Sequence, residues 1–476
     1  MTGFPGTLIE LFRAGRPADP SSASFLETPA GVRLTYSDAD RRSARLARAL
    51  MSSGVRRGDR VALQCEKSPE AVLLYLACLR CGVVLIPINP GYSRDEVGYL
   101  LDDAEPALFV DERRLAELSE AADREAETFD DADLSATDLA AVLYTSGTTG
   151  RPKGAMLSHG NLSSNADVLR REWGFSADDV LLHALPIFHV HGLFVAINCV
   201  LASGSAMVFL PKFDVEQVLD ALPRSSVMMG VPTFYTRLLN DSRFERADCS
   251  RMRLFISGSA PMLTGTHEAF RARTGHAILE RYGMTETAIL TSNPLDGERR
   301  PGTVGFPLPG TDLRIVDTDD TGAGAIEVRG PNVFAGFWRR PDLESTEFTD
   351  DGWFRTGDIG CLDRDGYLLI VGRAKDLVIS GGLNVSPKEV EDVLDAVAGV
   401  LESAVIGVPD ADFGEAVVAV VVAEPGCAID DQIVRETARL HLAAFKVPKR
   451  VEIVDSLPRN AMGKVEKAAL RRRFGG

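Results

Sequence analysis

The chain's 476 residues exceed what one hydrophobic core ordinarily holds, which predicts two or three domains. Its 45% apolar and 25% charged residues describe an ordinary globular protein. A net charge of −16 excludes nucleic acid and anionic membrane as the main partner.

The opening residues lack the basic start, apolar stretch and small-residue site of a signal peptide. The longest apolar stretch, 71–88, is broken by Arg80 and Pro87, so it reads as a core helix and strand rather than a membrane span. Seven cysteines at irregular spacing point to a reducing compartment, and the expected location is cytoplasmic. Cys78 and Cys81 form a C-x-x-C inside a helical apolar run, which suits two core thiols on one helix face.

From about residue 60 the chain alternates. Strand patterns at 60–65, 83–88 and 107–110 enclose helical ones at 68–80 and 94–103. That order implies right-handed crossovers and a parallel sheet. Residues 111–138 turn acidic and alanine-rich, as a surface helix and connector would. A buried strand follows at 139–143. Further strands are expected at 180–184, 206–210, 227–231 and 253–257, with helices at 192–201, 215–222 and 232–240. From Gly310 short strands with Gly/Pro/Asp turns suggest a small β-rich lobe. After Lys375 a last segment has its own helices and apolar strands, including 416–422.

Residues 144–154 read YTSGTTGRPKG. Gly147, Gly150 and Gly154 allow sharp turns and close approach of backbone to a ligand. Thr145, Ser146, Thr148 and Thr149 add hydroxyls, and Lys153 adds a cation. Such a loop suits a polyphosphate. It is not a P-loop, because no Lys-Ser or Lys-Thr pair follows a glycine. An ordinary surface turn would explain any four of these residues, but poorly explains four hydroxyls, three glycines and a lysine in eleven positions.

This loop resembles the signature of the adenylate-forming superfamily: acyl-CoA synthetases, luciferases and adenylation domains of peptide synthetases. Four more segments follow in family order. Tyr282, Gly283, Met284, Thr285 and Glu286 form YGMTE, in which the ring and thioether could sandwich a base and Glu286 suits Mg²⁺. Upstream, Gly258, Ser259 and Ala260 resemble the segment lining the adenine pocket. Asp358, in Arg-Thr-Gly-Asp, resembles the family's ribose-binding carboxylate, and Arg373 its ribose and phosphate contact. The resemblance places the interdomain hinge at Lys375 and the coenzyme A channel along Ser380, Gly381 and Gly382. It also makes Lys464 the cation that bridges the acyl carboxylate and the α-phosphate. Lys153, Lys375 and Lys464 are three of only nine lysines, against 43 arginines. The implied fold class is α/β: an N-terminal domain, 1–374, of parallel-sheet βαβ subdomains with the β-rich lobe, and a mobile α+β C-terminal domain, 375–476.

The implied reaction uses ATP, Mg²⁺ and coenzyme A. A carboxylate, ionised with a pKa near 4, attacks the α-phosphorus and needs cations more than a base. Glu286 and Thr148 are the expected metal ligands, and Thr148, Lys153 and His189 are further candidates for the catalytic set. Acetylation of Lys464 by a lysine acetyltransferase, reversed by a deacetylase, would stop adenylation.

Arg281 departs from the common pattern, where glycine or an apolar residue precedes the tyrosine. The run Glu280, Arg281, Tyr282 onward, ERYGMTE, is similar to that of malonyl-CoA synthetases. A buried second carboxylate needs a partner, and an arginine offers a bidentate one. Arg237 is a possible second cation and His189 a neighbour of the reacting carboxylate. The expected substrate is malonate, with methylmalonate tolerated. The alternatives are a short- or medium-chain monocarboxylate acyl-CoA synthetase and a stand-alone adenylation domain loading a carrier protein. A noncatalytic nucleotide sensor would be expected to lose Lys464 or Glu286, and both are present.

Overall fold

The computed structural model describes residues 6–145, 152–380, 383–410, 413–460 and 463–475. The chain packs into two compact units: 1–312 with 328–354, and 313–327 with 355–476.

The first unit contains two sheets. In chain order its strands are β1 (Ser24–Glu27), β2 (Arg33–Thr35), β3 (Arg60–Leu63), β4 (Val84–Pro87), β5 (Leu108–Val110), β6 (Leu139–Thr145) and β7 (Lys153–Ser158). There follow β8 (Val180–His183), β9 (Ala206–Phe209), β10 (Val227–Gly230), β11 (Leu254–Ser257), β12 (Leu279–Met284), β13 (Ala288–Ser292) and β14 (Phe306–Pro307). One sheet runs β5-β3-β4-β6-β7 and the other β14-β13-β12-β11-β10-β8-β9-β1-β2. The centres and the β5 edge are parallel, as the alternation predicts, but the other edges are not. β6–β7 and β12–β13–β14 pair antiparallel, as does β1–β2. Short connections explain β1–β2, β6–β7 and β12–β13, because a parallel return needs a crossover of a dozen residues or more.

Local chemistry sets the boundaries. Helix Pro69–Cys81 starts on the Ser68 side chain with Pro69 in its first turn, and stops at Gly82, φ +67°. Every residue from Ala71 to Cys81 is buried, including the two thiols, and the one charge among them, Arg80, is paired with Asp40 and Asp131. The expected helix at 192–201 instead begins as π-helical His191–Ile197 before α-helical Asn198–Ser203. Such wide turns occur mostly beside functional sites.

The second unit holds a four-stranded sheet, β15 (Asp312–Val316), β16 (Gly324–Arg329), β17 (Phe354–Leu362) and β18 (Leu368–Arg373). Its other sheet comprises β19 (Val378–Ser380), β20 (Leu383–Val385), β21 (Val400–Asp410), β22 (Gly414–Ala423) and β23 (Arg450–Val454). On β22, Val417, Ala419 and Val421 join a core with Val390 and Val434, while Val418, Val420 and Val422 pack with Leu470. Both faces are covered, which is why this strand reads as an unbroken apolar run.

Candidate active site

Parallel strands β10, β11 and β12 end together, and ligands of open α/β sheets gather at such carboxyl ends. The register pairs Ser257 with Glu280, so Gly258 follows one strand where Arg281 continues the other. Arg281 is 5% exposed and its guanidinium lies on Gly258. A Cβ at Gly258 would stand 2.5–2.6 Å from Cζ, Nε and Nη1 of Arg281. Nε and Nη2 have no hydrogen-bond partner among the described residues. Burial pulls the guanidinium's pKa down to about 9, which still leaves it charged at neutral pH. Glu280 does not neutralise it; that carboxylate accepts a hydrogen bond from the Gly302 amide at 3.1 Å. An unpaired buried charge of this kind calls for an anionic ligand.

Ser259, held at φ +70°, turns its hydroxyl to within 3.2 Å of Nδ1 of buried His191. A non-glycine residue in that region stores strain, as functional sites often do. Nε2 of His191 has no partner among the described residues, and burial, then Arg281, holds this ring well below the usual histidine range. His189 is partly buried and its Nδ1 accepts from the His191 amide at 3.3 Å. The structure thus gathers Gly258, Ser259, Arg281 and His191 around the carboxyl ends of these strands. Arg237 stands exposed on helix Pro232–Leu239.

Gly258→Ala should displace the guanidinium and raise KM for a diacid about tenfold or more, the scale of one charge-assisted hydrogen bond. Steady-state kinetics with ATP held saturating would measure it; an unchanged KM would mean Arg281 does not contact substrate.

Around the glycine-rich loop, β6 and β7 pair Thr145 with Lys153 and Tyr144 with Gly154. Ser146, Gly147, Thr148, Thr149 and Gly150 lie outside the described residues. Gly154 is not at a turn. It sits inside β7, where a Cβ would meet Val142 at 2.6 Å, so its smallness serves packing. Lys153 pairs with Glu347 at 3.1 Å and lies 5.0 Å from the Phe337 ring centre.

YGMTE, expected just after a strand, begins inside one. β12 includes Tyr282, Gly283 and Met284, and a bulge at Gly283 brings the Ala288 carbonyl within 1.9 Å of where a Cβ would be. Thr285 and Glu286 follow, and Glu286 is 7% exposed, with its carbonyl accepting from the Phe334 amide. No trio of His, Cys, Asp or Glu among the described residues could cage a metal. A single buried carboxylate nevertheless fits Mg²⁺, which typically takes one or two carboxylates and completes its shell with phosphates and water.

Within the second unit, Asp358 (3% exposed) and Arg373 pair across β17 and β18, Oδ1 to Nε at 2.9 Å. Lys375 lies in the short turn Ala374–Asp376. Ser380 is buried at the end of β19, and Gly381 and Gly382 lie outside the described residues. Lys464 closes a tight turn: its amide donates to Asn460 Oδ1 at 3.1 Å, and its carbonyl accepts from the Asn460 amide at 2.9 Å.

Sequence reasoning missed Lys67 and His183, which meet at 2.8 Å near His191. The scarcity of lysine was a signal available for the first. Nothing local marks the second.

A doubly wound sheet with a glycine-rich loop and a YGMTE strand defines an adenylate-forming enzyme. The chain belongs to the AMP-binding enzyme family, whose model matches residues 14–338, with the AMP-binding enzyme C-terminal domain matching 389–464. The ATP-bound crystal structure of MatB from Rhodopseudomonas palustris is similar at 50% identity and a TM-score of 0.94, covering 98% of this chain and 99% of that one. The human mitochondrial malonate–CoA ligase ACSF3 is 34% identical over 93% of this chain and 88% of its own length. A feruloyl-CoA synthase of an Amycolatopsis species is 38% identical over 94% and 95%.

Proposed function

We propose that this enzyme is an ATP-dependent malonate–CoA ligase that also accepts methylmalonate. It forms malonyl-adenylate and pyrophosphate, then transfers the acyl group to coenzyme A with release of AMP. The observation that carries this reading is the buried Arg281 guanidinium, which has no carboxylate partner among the described residues. The carboxylate of malonate that does not react would supply that partner, and a monoacid would leave the charge stranded. Kinship with malonate–CoA ligases supports it. Arg237 is exposed, so its help to the diacid would be screened by solvent.

The reacting carboxylate is already ionised and needs no base. Its obstacle is repulsion from the triphosphate. Lys464, Lys153 and the hydroxyls of Thr145, Ser146, Thr148 and Thr149 offset that repulsion and hold an in-line geometry. A Mg²⁺ ion held by Glu286 and Thr148 would neutralise phosphate charge. Tyr282 and Met284 flank the base beside Gly258–Ala260, and Asp358 and Arg373 take the ribose. His189 lies beside the reacting carboxylate. Attack by the coenzyme A thiol then expels AMP, with Ser380, Gly381 and Gly382 lining the thiol's path.

The working boundary is put at Lys375, between domains 1–374 and 375–476, with Lys375 as the pivot that exchanges Lys464 for the coenzyme A channel. Lys375→Pro should spare pyrophosphate release and block thioester formation; equal loss of both half-reactions, measured separately, would refute the pivot. Acetylation of Lys464 would abolish its charge and switch adenylation off.

The described residues contain no helix long and apolar enough to cross a membrane. The seven cysteines are unpaired, which supports a cytoplasmic home, and fractionation of the producing cell checks it.

A further inference from the structure

Near His191 is a second basic group that the reaction does not use. Lys67 precedes the Ser68 cap of helix Pro69–Cys81 and turns its amino group inward, 4.2 Å from the Phe209 ring centre. Nζ reaches both Nδ1 and the carbonyl of His183, each at 2.8 Å. The other ring nitrogen of His183, Nε2, stands 2.9 Å from the Gly192 carbonyl. A carbonyl only accepts, so Nε2 carries the proton. A neutral imidazole has only one, so Nδ1 accepts from Lys67. Burial, and then Lys67, hold His183 well below the usual histidine range, which keeps the ring neutral.

Gly192 is the second residue of the π-helical turn His191–Ile197. It packs so closely on Leu185 and Pro186 that a Cβ would fall 2.0 Å from the Pro186 carbonyl. The residue before it, His191, faces Ser259 and lies near Arg281. Burial holds the Lys67 amine well below the usual lysine range, and among the described residues it meets two hydrogen-bond partners and a ring face rather than a carboxylate.

We propose that Lys67 is a positioning residue for the acyl pocket: by fixing the His183 tautomer it anchors the Gly192 carbonyl and the turn that presents His191 beside Ser259 and Arg281. Its effect on substrate choice rests on Arg281 holding the second carboxylate; its effect on His183 does not.

Lys67→Met keeps length and volume while removing the donors. KM for malonate should rise about tenfold, as expected when a buried acceptor loses its donor, with KM for ATP unchanged. The double variant Lys67→Met/His183→Gln should lose no more than His183→Gln alone. Multiplying losses, or equal losses on malonate and butyrate, would overturn the proposal. Nitrogen NMR of the ¹⁵N-histidine-labelled enzyme, with His183→Gln for assignment, reads the tautomer without any variant of Lys67. The unaltered protein should show His183 as neutral Nε2–H at pH 7. An imidazolium or Nδ1–H form would overturn the proposal whatever the kinetics. If Arg281→Ala spared malonate while this tautomer was observed, the substrate reading would fail and the Lys67–His183 anchor would stand.

Discussion

Arg281→Ala should lower kcat/KM for malonate by about 2–5 kcal/mol, on the order of 30- to 5,000-fold. The variant leaves the substrate's second carboxylate in a 5%-exposed site without a cation. The residues gathered around it have nothing to substitute: His191 is held neutral and Ser259 is uncharged. Butyrate turnover should hold or improve, since removing the guanidinium relieves a charge that no monoacid compensates. The pH dependence has a definite sign. The folded-state pKa of about 9 lies below the ordinary arginine value, so burial of the charged form costs stability at neutral pH. That cost is relieved as pH rises above about 9. Diacid binding favours the charged form and should weaken over the same range. Parallel kinetics on malonate and butyrate at pH 7 and 9.5 would measure both effects; undiminished malonate turnover by the variant would remove Arg281 from substrate recognition.

Lys464→Ala should produce the second large effect, on one half-reaction. Losing a positioned cation from a charged transition state costs on the order of 10²–10³-fold. Pyrophosphate exchange should fall by that factor, while thioester formation from synthetic malonyl-adenylate should stay within a few-fold of the parent. The lysine's main chain is fixed by Asn460 on both sides, so truncating the side chain leaves the turn's backbone bonds intact. Loss of both half-reactions alike would assign Lys464 to the fold rather than to adenylation.

Several of these elements were legible because local chemistry and tertiary packing agree on them. Ser68, Pro69 and Gly82 bracket one helix, and the valines of β22 announce a strand buried on both faces. Arg281 could be singled out because a permanent cation sits where glycine or an apolar residue is usual, and the structure buries it. Glycine was the main source of misreading. Gly154 suggests a turn in the sequence, yet it lies within a strand where neighbouring atoms leave no room for a side chain. The antiparallel edges were missed because an apolar run carries no mark of strand direction. The π-helical turn has no composition of its own. Lys67 and His183 are 116 residues apart, and no local pattern could connect them.

The most direct test is pyrophosphate exchange into ATP by the purified enzyme with Mg²⁺, offered malonate, methylmalonate, butyrate, octanoate and ferulate in turn. Exchange with malonate should run at least about a hundredfold above every monoacid, the discrimination expected when a buried cation loses its partner. Exchange that is equal for malonate and butyrate, or greatest with ferulate or octanoate, would contradict a pocket built around a second carboxylate.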